Sequence, residues 1–134
     1  MTAIAQAAYG IYVPRIGRPP LPMLADYADL AEKGLAQVLD IDGAVAGFLV
    51  LVHEPGALLL DNIAISPDFQ KRGLGRLLLA YADEVARTAG YPNIRLYTNA
   101  AMTENIALYG RCGYVETHRA TEDGRHRVYM QKPV

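Results

Sequence analysis

The sequence predicts one α/β (α+β) domain, a mixed and mostly antiparallel central sheet flanked by helices, and three observations carry that prediction. Asp42-Gly43 and Asp123-Gly124 each sit between two strand-like runs, and Asp-Gly readily takes the left-handed dihedrals of a two-residue hairpin turn. Between the two hairpins, strand-like Leu58 to Ile65 is followed by a helix-like run opening at Leu74 and then by strand-like Ile94 to Thr98. Strands linked by a helical crossover run parallel, so the sheet is mixed and the helices pack on it.

The elements follow in order. Thr2 to Tyr9 reads as the end of a helix. Val13 to Met23 reads as a stiff loop, because Pro14, Pro19, Pro20 and Pro22 fix φ and remove donors, which excludes a central strand. Met23 to Glu32 is helix-like, with Leu24, Tyr27, Ala28 and Ala31 on one face and Gly34 suited to its end. Gln37 to Ile41 and Ala44 to Val52 form the first hairpin, and Glu54-Pro55-Gly56 turns the chain into Leu58 to Ile65. The helix from 74 to 89 carries Leu74, Leu77, Leu78, Tyr81, Val85 and Ala89 on one stripe and is stopped by Gly90 and Pro92. The last hairpin joins Tyr114 to Arg119 with Arg125 to Lys132.

Composition bounds the function. A chain of 134 residues, 51% apolar and 20% charged, describes a single compact domain over residues 1–134 with a sizeable core. A formal net charge of −1 argues against a nucleic-acid partner, which would require clustered Lys and Arg. The longest apolar run, Ala44 to Val52, is too short to cross a bilayer, and no basic segment leads into an apolar stretch at the N-terminus. The expectation is a cytoplasmic protein without a membrane partner. Cys112 is the only cysteine, so its expected role is packing, and no Cys or His cluster has metal-ligand spacing, so no metal is expected.

Chemistry concentrates in the turn Gln70-Lys71-Arg72-Gly73-Leu74-Gly75, set between a strand and the start of a helix. A loop entering a helix N-terminus presents unpaired N–H groups and the positive end of the helix dipole, and glycines there clear space for an anion. The turn lacks the Gly-x-x-x-x-Gly-Lys-Ser/Thr of a nucleotide-hydrolysing loop and the first glycine of a dinucleotide-binding Gly-x-Gly-x-x-Gly, so both nucleotide readings fall.

What remains resembles the pyrophosphate loop of the GCN5-related N-acetyltransferases (GNAT), whose signature Gln/Arg-x-x-Gly-x-Gly/Ala joins a strand to a helix. A second segment, Thr103-Glu104-Asn105-Ile106-Ala107-Leu108-Tyr109 followed by Gly113-Tyr114, resembles the helix of that family ending in Leu-Tyr-x-x-x-Gly-Phe/Tyr. One departure is that many members carry an asparagine seven residues before the tyrosine, where Met102 stands here. The resemblance implies the acyl-CoA N-acyltransferase fold, here without the first strand and part of the first helix of the family. Either the sequence starts late or the fold tolerates the loss; in the second case the strand at 37–41 has an open edge, and a homodimer paired through it is expected.

The resemblance also implies roles. The backbones of Ile63, Ala64 and Ile65 bond the pantetheine arm of acetyl-coenzyme A. Gln70, Lys71, Arg72, Gly73, Leu74, Gly75 and Arg76 form the phosphate loop, and Asn105 on the following helix adds a cofactor contact. Tyr109 matches the position that protonates the departing thiolate; its reference pKa of about 10 keeps it a donor at neutral pH. Candidates for the general base are Asp61, His53, Glu54 and Glu104. Asp61 ranks first, because strand alternation puts Leu59, Asp61, Ile63 and Ile65 on one face and family members often place an acid there. The acceptor pocket is expected beyond the splay, walled by Val13 to Met23, with Arg15 and Arg18 as a cationic wall, and by the last hairpin with His118 and His126. The function so implied is acetyl transfer from acetyl-coenzyme A to a primary amine of a small molecule or peptide. The alternative is a non-catalytic acyl-coenzyme A sensor or partner subunit.

Overall fold

A computed structural model describes residues 1–134. Six strands form one sheet in the order β1-β2-β3-β4-β6-β5. β1 (Ala36–Ile41), β2 (Ala44–Glu54) and β3 (Ala57–Ile65) make an antiparallel meander, and β4 (Asn93–Asn99) runs parallel to β3. β5 (Val115–Glu122) and β6 (Arg125–Pro133) form the closing hairpin, with β6 inserted beside β4. In both Asp-Gly turns the two central residues are left-handed: Asp42 and Asp123 have φ of 52°, and Gly43 and Gly124 have φ of 84° and 72°. These turns match the right-handed strand twist, which is why Asp-Gly specifies a hairpin at both places.

Helices cover both faces. α4 (Leu74–Thr88) and α5 (Thr103–Arg111) lie over Leu49, Leu51, Leu58, Leu60, Ile94, Leu96 and Val128, while α1 (Thr2–Tyr9) and α3 (Tyr27–Glu32) cover Phe48, Val50 and Ala64. Phe48 is fully buried and meets the Tyr27 ring edge-on at 4.9 Å between centroids. Phe48→Ala is expected to lower the unfolding free energy by about 3–5 kcal/mol, measured by chemical denaturation; a loss below about 1 kcal/mol would show that the α1 layer is not packed as described. No helix is long and apolar enough to cross a membrane.

Four expectations need correction. The buried face of α4 is Leu78, Leu79, Ala82, Asp83 and Ala86, whereas Leu77 and Tyr81 are 52% and 42% exposed. Small Ala82 and Ala86 let the helix lie close to the sheet, and this placed the stripe one position away from the larger side chains. Val13 to Met23 is not all loop: Val13–Ile16 form a helical turn, α2, and Leu21–Met23 another turn. The helix expected from Met23 starts only at Tyr27, because the Asp26 side chain caps it by accepting from the Asp29 N–H at 3.1 Å.

The fourth correction lies in β3. Val50 pairs with Asn62 but Leu51 with Leu60, so Asp61 is an extra residue, a β-bulge. The bulge reverses the alternation assumed from sequence. Leu58 and Leu60 face α4 as do Ile63 and Ile65, while Asn62 and Ala64 turn to the α1 side.

Candidate active site

β3 and β4 pair only from Leu58 to Leu60 and from Ile94 to Leu96. Beyond that they part, and two cavities open along the gap. The first, about 520 Å³, is lined by Ile63, Ala64, Ile65, Gln70, Lys71, Gly73, Leu74, Gly75, Arg76, Asn105 and Tyr109 among others. It therefore gathers, from three separate segments, every residue expected at the cofactor except Arg72, whose guanidinium lies over the Phe69 ring at 5.1 Å.

The turn at its mouth leaves a run of backbone donors free. Lys71 and Gly73 are both left-handed, with φ of 65° and 76°, and alternation of this kind points successive N–H groups into one concavity. The first helical bond of α4 runs from the Leu77 N–H to the Gly73 carbonyl at 3.1 Å, and Gly73 supplies no side-chain cap. None of the N–H groups from Lys71 to Arg76 has an acceptor in the protein. Lys71, Arg76 and Arg111 add positive charge along the groove.

On β3 the Ser66 N–H donates to the Ala46 carbonyl at 2.7 Å, which sets the ladder alternation: Ala64 bonds Phe48 of β2, and the main-chain groups of Ile63 and Ile65 turn towards the gap. The Ile63 carbonyl accepts from the Tyr9 hydroxyl at 2.6 Å and that of Ile65 from Gln70 Nε2 at 3.4 Å. Their two N–H groups remain for a ligand, while Ala64 contributes to the wall of the groove rather than a free backbone group.

The second cavity, about 250 Å³, holds Asp61, Asn62, Tyr97, Asn99, Arg125 and Arg127, with Pro20, Leu21 and Pro22 as one wall. Tyr9, Ile63 and Tyr109 line both cavities and so mark their junction. Tyr109 is 6% exposed, and burial pushes its phenol well above the ordinary range. Its hydroxyl opens onto the cavities and is not among the buried groups lacking a partner. Asp61, at the other side, is held only by the Tyr97 hydroxyl at 3.4 Å, and burial raises its pKa above that of a free carboxylate. A carboxylate in this position gains proton affinity without losing access to the junction.

The other base candidates sit elsewhere. His53 bonds the Tyr91 hydroxyl at 3.0 Å near the far end of β2. Glu54 lines a separate hollow together with His118, which stacks on Tyr129 at 4.3 Å. Glu104 pairs with Arg15 at 2.9 Å. Neither His118 nor His126 lines the second cavity, and the arginines that do are Arg125 and Arg127, not Arg15 or Arg18.

The sequence profile of the acetyltransferase (GNAT) family matches residues 2–114, the span that holds both cavities' shared residues. The chain belongs to the acetyltransferase (GNAT) family. Among similar proteins, the ribosomal protein bS18-alanine N-acetyltransferase of Salmonella typhimurium is 34% identical over 90 residues, 67% of this chain and 61% of that protein. The match thus spans about three-fifths of that relative's length. The crystal structure of the ribosomal-protein-S18-alanine N-acetyltransferase from Escherichia coli superposes with a TM-score of 0.74 at 25% identity, over 99% of this chain and 84% of that one. PaiA N-acetyltransferase from Thermoplasma acidophilum, solved in complex with coenzyme A, shares the fold with a TM-score of 0.78 at 16% identity, over 99% and 90%.

Within this GNAT fold, sequence reasoning missed a hydrogen-bonded chain beneath the junction. Tyr9 reaches Asn62 Oδ1 at 2.8 Å, Asn62 Nδ2 donates to the Tyr27 hydroxyl at 2.5 Å, and Tyr27 donates to the Pro22 carbonyl. The chain ties the bulge to the proline loop that walls the second cavity. Its members are 53 and 35 residues apart in sequence, and no local pattern announces them.

Proposed function

We propose that this GNAT domain transfers the acetyl group of acetyl-coenzyme A to a primary amine. The observation that carries the reading is the unbroken run of acceptor-free N–H groups from Lys71 to Arg76 at the start of α4, with a groove leading from it to Tyr109. The arrangement fits the ligand: a cradle of amides for a pyrophosphate, then the Ile63 and Ile65 N–H groups for the carbonyls of a pantetheine arm. Acetyl-coenzyme A supplies the thioester that an amine attacks.

The residues then divide the proton work. Asp61 takes a proton from the incoming ammonium, directly or through a water, and Tyr109 gives its proton to the departing sulfur. The raised pKa of Asp61 brings it nearer to that of an amine in a half-buried site, which eases the transfer. Asp61→Asn is expected to lower kcat/KM by about 100-fold where the amine is still protonated, with a smaller loss at higher pH where free amine is abundant. A parallel profile at all pH values would remove Asp61 from the role of base. The same shift has a stability consequence. A carboxylate whose folded pKa is raised takes up a proton on folding, so its ionised form opposes the fold above that pKa. Asp61→Asn is therefore expected to raise the melting temperature at pH 7 and leave it unchanged at pH 3.

Acceptors of similar proteins include a ribosomal protein and the antibiotic streptothricin, by their names, which supports a peptide or small-molecule amine here. Titration with acetyl-coenzyme A, and in parallel with an acetyl-pantetheine lacking the 3′-phosphoadenosine diphosphate, tests the reading. Micromolar binding of the first alone, with coenzyme A released on adding amines, is the expected result. Binding without turnover of any amine would favour the sensor.

A further inference from the structure

The second cavity carries charge of both signs at its two ends. At one end is Asp61. At the other is Arg125, only 9% exposed, whose one hydrogen bond is from Nη2 to the Pro19 carbonyl at 3.1 Å. It takes part in none of the six ion pairs of the protein. Its charged neighbours are Arg18, Arg127 and Asp123, so two of the three repel it. Arg18 donates to the Asp123 carbonyl, and Arg127 is neutralised by Glu122 and covers the Tyr97 ring at 4.5 Å. Arg125 is thus the one cation of the cavity without a carboxylate partner. A guanidinium withdrawn from water without a counterion is costly, and a planar carboxylate meets its fork of donors in two parallel hydrogen bonds.

We infer that the acceptor is a small amino-carboxylic acid, its carboxylate bound by Arg125 and its amine presented to Asp61 and the junction at Tyr109. The inference rests on the acetyltransferase reading and names its substrate class. Geometry sets the separation. Asp61 is level with Tyr97, which it bonds, and Tyr97 pairs with Tyr129 across β4 and β6. Arg125 lies four residues further along β6 on the same face as Arg127 and Tyr129, roughly 13 Å along the strand before the side chains reach inwards. That span, shortened by the reach of both side chains, leaves room for a small amino-carboxylic acid. It suits an ω-amino acid, the side-chain amine of free lysine, or a dipeptide. A cavity of about 250 Å³ matches acceptors of that size, being smaller than the usual drug-sized site.

The test compares acid with neutral amide. 6-Aminohexanoate, free lysine and glycylglycine are assayed as acceptors beside 6-aminohexanamide and hexylamine, with coenzyme A release as the readout. Binding of 6-aminohexanoate is followed separately by calorimetry. In the parent protein the acids are expected to have KM values about 10- to 100-fold below those of the matched neutral amines. Arg125→Gln is expected to erase that preference and to abolish calorimetric binding of 6-aminohexanoate, while Arg125→Lys keeps part of both. Should Arg125→Gln fail to fold, the acid-to-amide comparison in the parent protein decides alone. Equal KM values for acid and amide overturn the inference and leave the acetyltransferase reading standing. So does preferred acetylation of a long peptide N-terminus with an amidated C-terminus. If acetyl-coenzyme A itself does not bind, both readings fall.

Discussion

Gly73→Asp is expected to weaken acetyl-coenzyme A binding by at least about 100-fold, equivalent to about 2.7 kcal/mol, while the domain stays folded. Two effects act together. Gly73 holds φ of 76° at the N-cap of α4 with open space where a Cβ would stand, so a side chain fits sterically and the backbone strain of a left-handed residue is only about 1–2 kcal/mol. Aspartate bears this conformation better than most residues. The larger effect is electrostatic. The new carboxylate arrives at the N-terminus of α4, where anions are favoured and the N–H groups of Leu74 to Arg76 are unpaired, and it competes with the ligand for the same donors while repelling its phosphates. Gly73→Ala brings the strain without the charge and separates the two: its expected loss is about 10-fold or less. Calorimetry reads affinity and circular dichroism melting reads the fold. Affinity for acetyl-coenzyme A unchanged by the aspartate would overturn the phosphate assignment.

How far the sequence reaches is set by whether a feature has a local cause. Hairpins at Asp42-Gly43 and Asp123-Gly124, the glycine turn before α4 and the parallel crossover to β4 all depend on residues adjacent in the chain, and each was legible. So was the convergence of Ile63, the turn at 70–76, Asn105 and Tyr109, through the resemblance of two motifs. The bulge at Asp61 was not, because Leu-Asp-Asn-Ile reads as ordinary alternation. It is fixed instead by Asn62 bonding two tyrosines from the N-terminal helices, and by the β2 register. Nor was the choice of arginine. Arg15 and Arg18 belong to the loop expected to wall the acceptor cavity, yet Glu104 takes one and the Asp123 carbonyl the other. The cation facing the cavity comes from β6, more than a hundred residues from the Pro19 carbonyl that holds it.

Tyr109→Phe is expected to lower kcat by about 100-fold or more with the affinity for acetyl-coenzyme A retained, since a positioned proton donor contributes about 10²–10⁴-fold. The hydroxyl is the only atom removed, and it makes no contact that the fold depends on: the ring packs edge-on against Tyr114 at 5.9 Å within the α4 core, and the oxygen opens onto the junction of the two cavities. Melting temperature should therefore stay level or rise slightly. Burial holds the phenol protonated far above neutral pH, so the parent protein should show no loss of rate from Tyr109 ionisation up to pH 10. The decisive comparison uses leaving groups. A thioester whose thiol is much more acidic than coenzyme A leaves without needing a proton, so the rate deficit of Tyr109→Phe should shrink with it. A deficit of the same size for both thioesters would make Tyr109 a packing residue at the junction and not the acid.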